Sequence, residues 1–197
     1  MQNRSQESEA EESSTAAEDF EALAYPLLDT LYNTAVKLTR KPLDAEDLVQ
    51  NTYLKAFRHF HGFTPGTNFK AWIFRILIAN FSHESRRKQG APAQTRSDVL
   101  RTTVRGATEA PDLAATAGQG SVEEYQKLPE DQIHAALERL PDPYRTVVLL
   151  SDVNDFRYKE IADLLQCPID TVMSRLSRAR RLMARLLREL APSPKTD

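Results

Sequence analysis

The sequence predicts an all-α protein made of two small helical domains joined by a flexible linker. Three observations carry that expectation. Runs of Leu, Ala, Glu and Arg dominate with little Val/Ile alternation, which favours helices packed on helices over sheets. Apolar residues recur every three to four positions in both halves of the 197-residue chain. Between the halves this periodicity stops, and residues 90–126 hold four of the six glycines, a linker composition.

Residues 1–19, MQNRSQESEAEESSTAAED, carry six acids against one arginine and no apolar run, so a disordered acidic tail is expected. This is neither a signal peptide's charge order nor a membrane span. No other segment reaches about 18 uninterrupted apolar residues, so no membrane insertion and a cytoplasmic location are expected. Cys167 has no second cysteine to pair with, and it lies among apolar residues where a thiol acts as a small hydrophobe. His59 and His61 lack further nearby donors, so no metal site is expected, and no cofactor either. No Gly-rich phosphate loop, paired-histidine metal motif or nucleophile elbow occurs, which argues against an enzyme.

The first domain is expected over residues 20–89. From Phe20 to Arg40 a stripe of Phe20, Leu23, Leu27, Leu31, Ala35 and Leu38 marks a helix, with Pro26 either kinking it or setting off a short helix. After Pro42, "KPLDAEDLVQNTYLKAFRHF" predicts a second helix capped by Asp44, with Ala45, Leu48, Val49, Thr52 and Ala56 as its buried stripe. Asp47, Asn51, Leu54 and Arg58 lie on another face, polar enough to meet a partner or to remain solvated. "HGFTPGTNF" reads as a turn-rich connector. A third helix follows from Asn68 to Lys88, with five basic residues against Glu84 alone. Its Trp72, Phe74, Ile76 and Leu77 suit a core, whereas Phe63 and Phe69 flank a Gly/Pro turn near cations, a setting for capturing an extruded base.

The second domain is expected over residues 127–190, helical with breaks at Pro141, Pro143 and Pro168, and followed by a tail over 191–197. "YKEIADLLQ" puts Ile161, Leu164 and Leu165 on one helical face, "CPI" makes a tight turn, and Asp170 is placed to cap the next helix. That is a helix-turn-helix arrangement. The following stretch, "DTVMSRLSRARR", holds four arginines in twelve residues. On a helical wheel Val172, Leu176, Ala179, Met183, Leu186 and Leu190 fall on one side; Thr171, Ser174, Arg178, Arg181, Arg185 and Arg188 fall on the other, with Arg175 beside them. One face would pack and the other would enter a DNA major groove, where arginine reaches guanine bidentately and neutralises phosphates. The alternative is a solvated amphipathic helix that is merely arginine-rich.

Taken together, "DAEDLVQNTYLKAF", "GTNFKAWIFRILIANF" followed by "RRK", and "LPDPYRTVVLL" with "YKEIADLLQCPIDTVMSRLSRARRLM" resemble regions two and four of bacterial sigma factors of the extracytoplasmic-function type, in that order. The resemblance implies a dissociable RNA polymerase subunit that directs the core enzyme to promoters. It implies that Asp44, Asp47, Leu48 and Gln50 dock on the β′ clamp, with β as a further contact of core polymerase. Phe63, Thr67, Asn68, Phe69, Trp72, Asn80, Arg86, Arg87 and Lys88 would handle the melted minus-ten strand. Lys159, Thr171, Ser174, Arg175, Arg178 and Arg181 would read the minus-thirty-five element. An anti-sigma partner, a stress-response role and a monomeric free state are further implications. "GTNFKAW" and "TVMSRL" resemble the actinobacterial oxidative-stress branch, where glycine is usual at the position of Asp170. The competing reading is a stand-alone helix-turn-helix regulator, which predicts a dimer on palindromic DNA without polymerase.

Overall fold

The computed structural model describes residues 17–88 and 129–190. Most of the acidic tail, the linker over 90–126 and the tail over 191–197 lie outside the described residues. The described chain is helical, with no strand among the described residues. It divides into two units between Glu84 and Ser85. Among the described residues no helix is long and apolar enough to cross a membrane.

The first unit contains α1 (17–24), a 3-10 turn Tyr25–Leu27, α2 (Leu28–Thr39), α3 (Pro42–Arg58), a 3-10 turn Phe60–Gly62 and α4 (Phe69–Lys88). Residues 17–19, given to the tail by composition, are already helical. Pro26 sits within the 3-10 turn, and the tighter winding there breaks the 3.6-residue register. Leu31, Ala35 and Leu38 therefore bury beyond it, while Leu23 stays 41% exposed. Arg40 ends α2 in the left-handed region, its N–H bonding the Val36 carbonyl.

In α3 the buried face is Ala45, Leu48, Val49, Thr52 and Ala56, as the spacing predicts. The helix begins earlier than Asp44, at Pro42, whose missing N–H costs nothing in a first turn. Asp44 thus favours the helix dipole from inside the first turn instead of capping it. α4 is capped by Asn68, whose Oδ1 accepts from the Ala71 N–H at 3.1 Å. Ile73, Phe74, Leu77 and Ile78 of α4 are buried, each side chain stabilising the unit by roughly 1.5–3 kcal/mol relative to exposure. Tyr53 of α3 donates its hydroxyl to the Ala24 carbonyl at 2.9 Å.

The second unit contains α5 (Glu130–Arg139), α6 (Asp142–Val148), a π-helical turn Leu149–Val153, α7 (Tyr158–Leu165) and α8 (Ile169–Leu190). α8 packs on α5, α6 and α7. Pro141 and Pro168 stand at the breaks, but Pro143 is accommodated inside the first turn of α6. Arg145 is almost wholly buried, donating to the Leu140 carbonyl at 3.1 Å and to Asp142 Oδ1 at 2.7 Å. It thereby ties the end of α5 to the start of α6. The π turn closes with the Asn154 N–H on the Leu149 carbonyl at 3.1 Å, and the Asn154 side chain donates to the same oxygen at 2.8 Å.

Candidate nucleic-acid interface

The turn between α7 and α8 is built from Gln166, Cys167 and Pro168. Gln166 adopts φ 51°, and both it and Cys167 direct their N–H groups to the Ala162 carbonyl. The Pro168 carbonyl then accepts from Thr171 and Val172, so α8 begins at Ile169. Asp170 lies in the first turn, where its charge suits the dipole; it is not the cap that the sequence predicts.

The buried face of α8 is Val172, Arg175, Leu176, Ala179, Met183 and Leu187. Leu187 replaces Leu186 and Leu190 of the predicted stripe; both of those are half-buried. Opposite lie exposed Ser174, Arg181, Arg185 and Arg188, with Thr171 and Arg178 half-exposed at one flank and exposed Lys159 on α7. Arg185 pairs with Glu189 at 3.0 Å, a solvent-exposed bridge worth little in stability. Arg181 rests against Ser177 and Arg188 against the Ala184 carbonyl, so both cations are held along the helix surface.

Arg175 departs from its predicted role. It is only 9% exposed, close to Cys167 and Tyr144, and desolvation depresses its pKa. A guanidinium inside the fold does not reach a base edge, so Arg175 belongs to the packing of the turn. Burial likewise raises the Cys167 pKa, partly offset by Arg175, which keeps the thiol a hydrophobe. Arg180, which the wheel left unassigned, is also structural. Its Nη2 and Nε donate to the two Asp152 oxygens at 2.7 and 3.3 Å, locking α8 onto the π turn. That hydrogen bond is the main cause raising the Arg180 pKa, with Tyr158 adding another.

In the first unit, the outward face of α3 presents Leu43, Asp47, Gln50, Leu54 and Phe57, spaced as one helical stripe. Leu43 is 76% exposed, and Leu54 and Phe57 are about half exposed. The sequence analysis assigned Leu48 to this surface, but Leu48 is wholly buried; the apolar contacts available to a partner are Leu43, Leu54 and Phe57. A large apolar residue at a position that the wheel assigns to solvent was the signal that could have found them.

The connector between α3 and α4 is an ordered loop. Gly66 takes φ 85°, and the Thr67 hydroxyl donates to the Thr64 carbonyl at 2.7 Å. Phe60, Phe63, Phe69 and Trp72 form an aromatic cluster, with Phe63 and Trp72 centroids 5.4 Å apart and Phe69 and Trp72 also 5.4 Å apart. An open cavity of about 940 Å³ lies between this loop and α1, lined by Leu23, Phe57, Phe60, His61, Phe63 and Thr67 among others. Phe63 and Phe69 are themselves buried, so neither presents a ring face to an extruded base as the sequence predicts. Trp72 is half-exposed, and Thr67 and Asn68 are exposed. Asn80 is also buried: its Nδ2 donates to Thr52 Oγ1 at 3.2 Å, and Lys55 Nζ donates to its Oδ1 at 2.6 Å. It is an internal tie between α3 and α4. Near the end of α4, Arg86 is half-exposed and Arg87 exposed, and Lys88 closes the helix.

Residues 25–91 match the sigma-70 region 2 family and residues 130–183 match the sigma-70 region 4 family. The chain is 29% identical over 153 residues to the ECF RNA polymerase sigma factor EcfG of Rhodopseudomonas palustris, covering 78% of this chain and 76% of that one. It is 26% identical over 171 residues to the ECF RNA polymerase sigma factor SigW of Bacillus subtilis, covering 82% and 85%. Among solved structures, the sigma factor RpoE of Bartonella quintana, in complex with the anti-sigma factor NepR, is 30% identical with a TM-score of 0.63 over 86% of this chain and 97% of that one. CnrH, in complex with the cytosolic domain of CnrY, shares the fold at 20% identity, with a TM-score of 0.59 over 92% and 96%.

Proposed function

Because this chain belongs to the extracytoplasmic-function group of the sigma-70 family and is a promoter-directing factor for RNA polymerase, we propose that its two units divide that task between two promoter elements. The observation that carries this reading is the opposition of faces on α8. Apolar residues anchor one side, while Thr171, Ser174, Arg178 and Arg181 line the other within a helix-turn-helix. Arg178 and Arg181 contact guanines or phosphates of the minus-thirty-five element, Thr171 and Ser174 reach base edges, and Lys159 meets the backbone. Arg175 supports this surface from beneath.

In the first unit, Asp47 and Gln50 with Leu43 and Leu54 dock on the β′ clamp of core polymerase, and Asp44 shapes the start of that helix. A mixed stripe of exposed apolar and acidic side chains is what a transient protein interface uses. Thr67, Asn68 and Trp72 meet the minus-ten strand, with Arg86, Arg87 and Lys88 neutralising its phosphates. Phe63, Phe69 and Asn80 act here by holding the loop and α4 in place.

The energetics require a large partner. Opening about ten base-pair steps at roughly 1.4 kcal/mol each costs on the order of 14 kcal/mol, whereas each stacked base returns about 1–3 kcal/mol. A chain with one modest loop platform does not melt a promoter alone; core polymerase supplies the clamp and the bend. An anti-sigma protein is a second partner, in keeping with the complexes of its structural relatives, and the exposed apolar residues of α3 are a surface it would cover.

Run-off transcription with core polymerase, with and without this protein, tests the reading. Promoter-specific transcripts are expected only when the protein is added. Protection of a palindromic duplex by the protein alone, with no gain in initiation, would favour the stand-alone regulator instead.

A further inference from the structure

The leading end of α8 carries two side chains that neither the core nor the cationic face accounts for. Ile169 is 44% exposed and Met173 is 50% exposed, although both are large and apolar. They stand four residues apart, one above the other on the same side of the helix, next to the face that bears Ser174 and Arg181. Arg180 lies a further seven residues along this side and is held by Asp152, so the flank is oriented by a fixed ion pair.

Exposed apolar groups in an otherwise cationic surface need an occupant that is both apolar and surrounded by negative charge. The major groove offers one such group, the 5-methyl of thymine, set between phosphate backbones. The N-terminal residues of the second helix of a helix-turn-helix are those that meet base edges, and Ile169 and Met173 are the first and fifth residues of α8. Resting on the proposal that α8 reads the minus-thirty-five element, we infer that Met173, seconded by Ile169, determines specificity by packing on thymine methyl groups, while the neighbouring arginines supply affinity. A flexible thioether suits this task, because it follows a methyl group without a fixed hydrogen-bond geometry.

The test is chemical. On a promoter from which this protein and core polymerase give a specific transcript, each thymine of the upstream element is replaced singly by deoxyuridine, which deletes only the methyl group. At least one replacement should lower open-complex formation about fourfold, the equivalent of exposing one buried methyl group. Met173→Ala should lose the same factor on the thymine promoter and show no further loss on the deoxyuridine promoter. Met173→Leu should retain most of the discrimination, which separates an apolar contact from a folding defect.

The inference is overturned if the wild type is indifferent to every replacement, if Met173→Ala stays as sensitive as the wild type, or if the upstream element contains no thymine. Arg181→Ala serves as the parallel control and should weaken thymine and deoxyuridine promoters equally. Should Arg181→Ala also leave promoter use intact, α8 does not read the element, and the proposed division of labour fails together with this inference.

Discussion

Replacing Asp152 by alanine removes the carboxylate that holds Arg180, and the geometry sets the size of the effect. Two hydrogen bonds, at 2.7 and 3.3 Å, connect the π turn to the middle of α8. Hydrogen bonds to charged groups contribute about 1.5–3 kcal/mol each, and breaking a fully buried pair costs about 3–5 kcal/mol. Here the Arg180 side chain is 26% exposed and Asp152 10%, so water recovers part of the loss for the orphaned guanidinium. We expect a net destabilisation of about 2 kcal/mol. At roughly 4–8 °C per kcal/mol for a unit of this size, the transition that reports the second unit should fall by about 8–16 °C. The assay is thermal unfolding of the full chain followed by circular dichroism, for Asp152→Ala, Arg180→Ala and the double variant. The double variant should cost less than the sum of the singles by at least about 1 kcal/mol. Additivity within about 0.5 kcal/mol, the value for independent sites, would refute the claim that this pair locks α8 in place.

Arg181→Ala should reduce promoter-directed transcription by on the order of 5- to 150-fold, as expected for loss of a base or phosphate contact, with core binding unchanged in a pull-down. An equal defect in core binding would contradict the separation of the two surfaces. Leu54→Glu should lower affinity for core polymerase at least tenfold in a titration while leaving the unfolding midpoint within about 4 °C of the wild type, because Leu54 is 49% exposed. A third expectation concerns alkaline pH. Burial first, and Asp29 second, push the Tyr53 pKa from 10.0 up to about 12, so the folded state retains the phenol proton longer than the unfolded chain. The resulting stability is present below pH 10 and lost as the pH rises from about 10 to 12. Tyr53→Phe should flatten that part of the stability profile measured by urea titration.

The helices and their buried stripes were legible because period and composition agree. α3 buries the five residues its spacing names, and the break at Pro168 falls where the chain turns into α8. Cap positions were less legible, since Pro42 and Ile169 extend their helices upstream of the nearest acidic residue. The candidate surfaces were legible only as faces. A wheel places Arg175 beside the cations but does not reveal that the α7 turn and Tyr144 crowd it into the interior. Phe63, Phe69 and Asn80 follow the same logic, because aromatic and amide groups near a loop are as good at closing a fold as at meeting a ligand. Arg180 was hidden for another reason: its partner lies 28 residues away, across a turn whose winding periodicity does not encode.

The π turn at Leu149–Val153 makes chain length itself a constraint in this part of the molecule. An i to i+5 hydrogen bond accommodates one residue more than an α-helical turn would, and the surplus is what aims Asp152 at α8. Deleting any one residue from this stretch would restore ordinary winding and swing everything on one side of it by about 100°. The carboxylate would then point away from Arg180 even with every side chain retained. Among natural or engineered variants, conservative substitutions within the segment should therefore be survivable, whereas shortening it by a single codon should not.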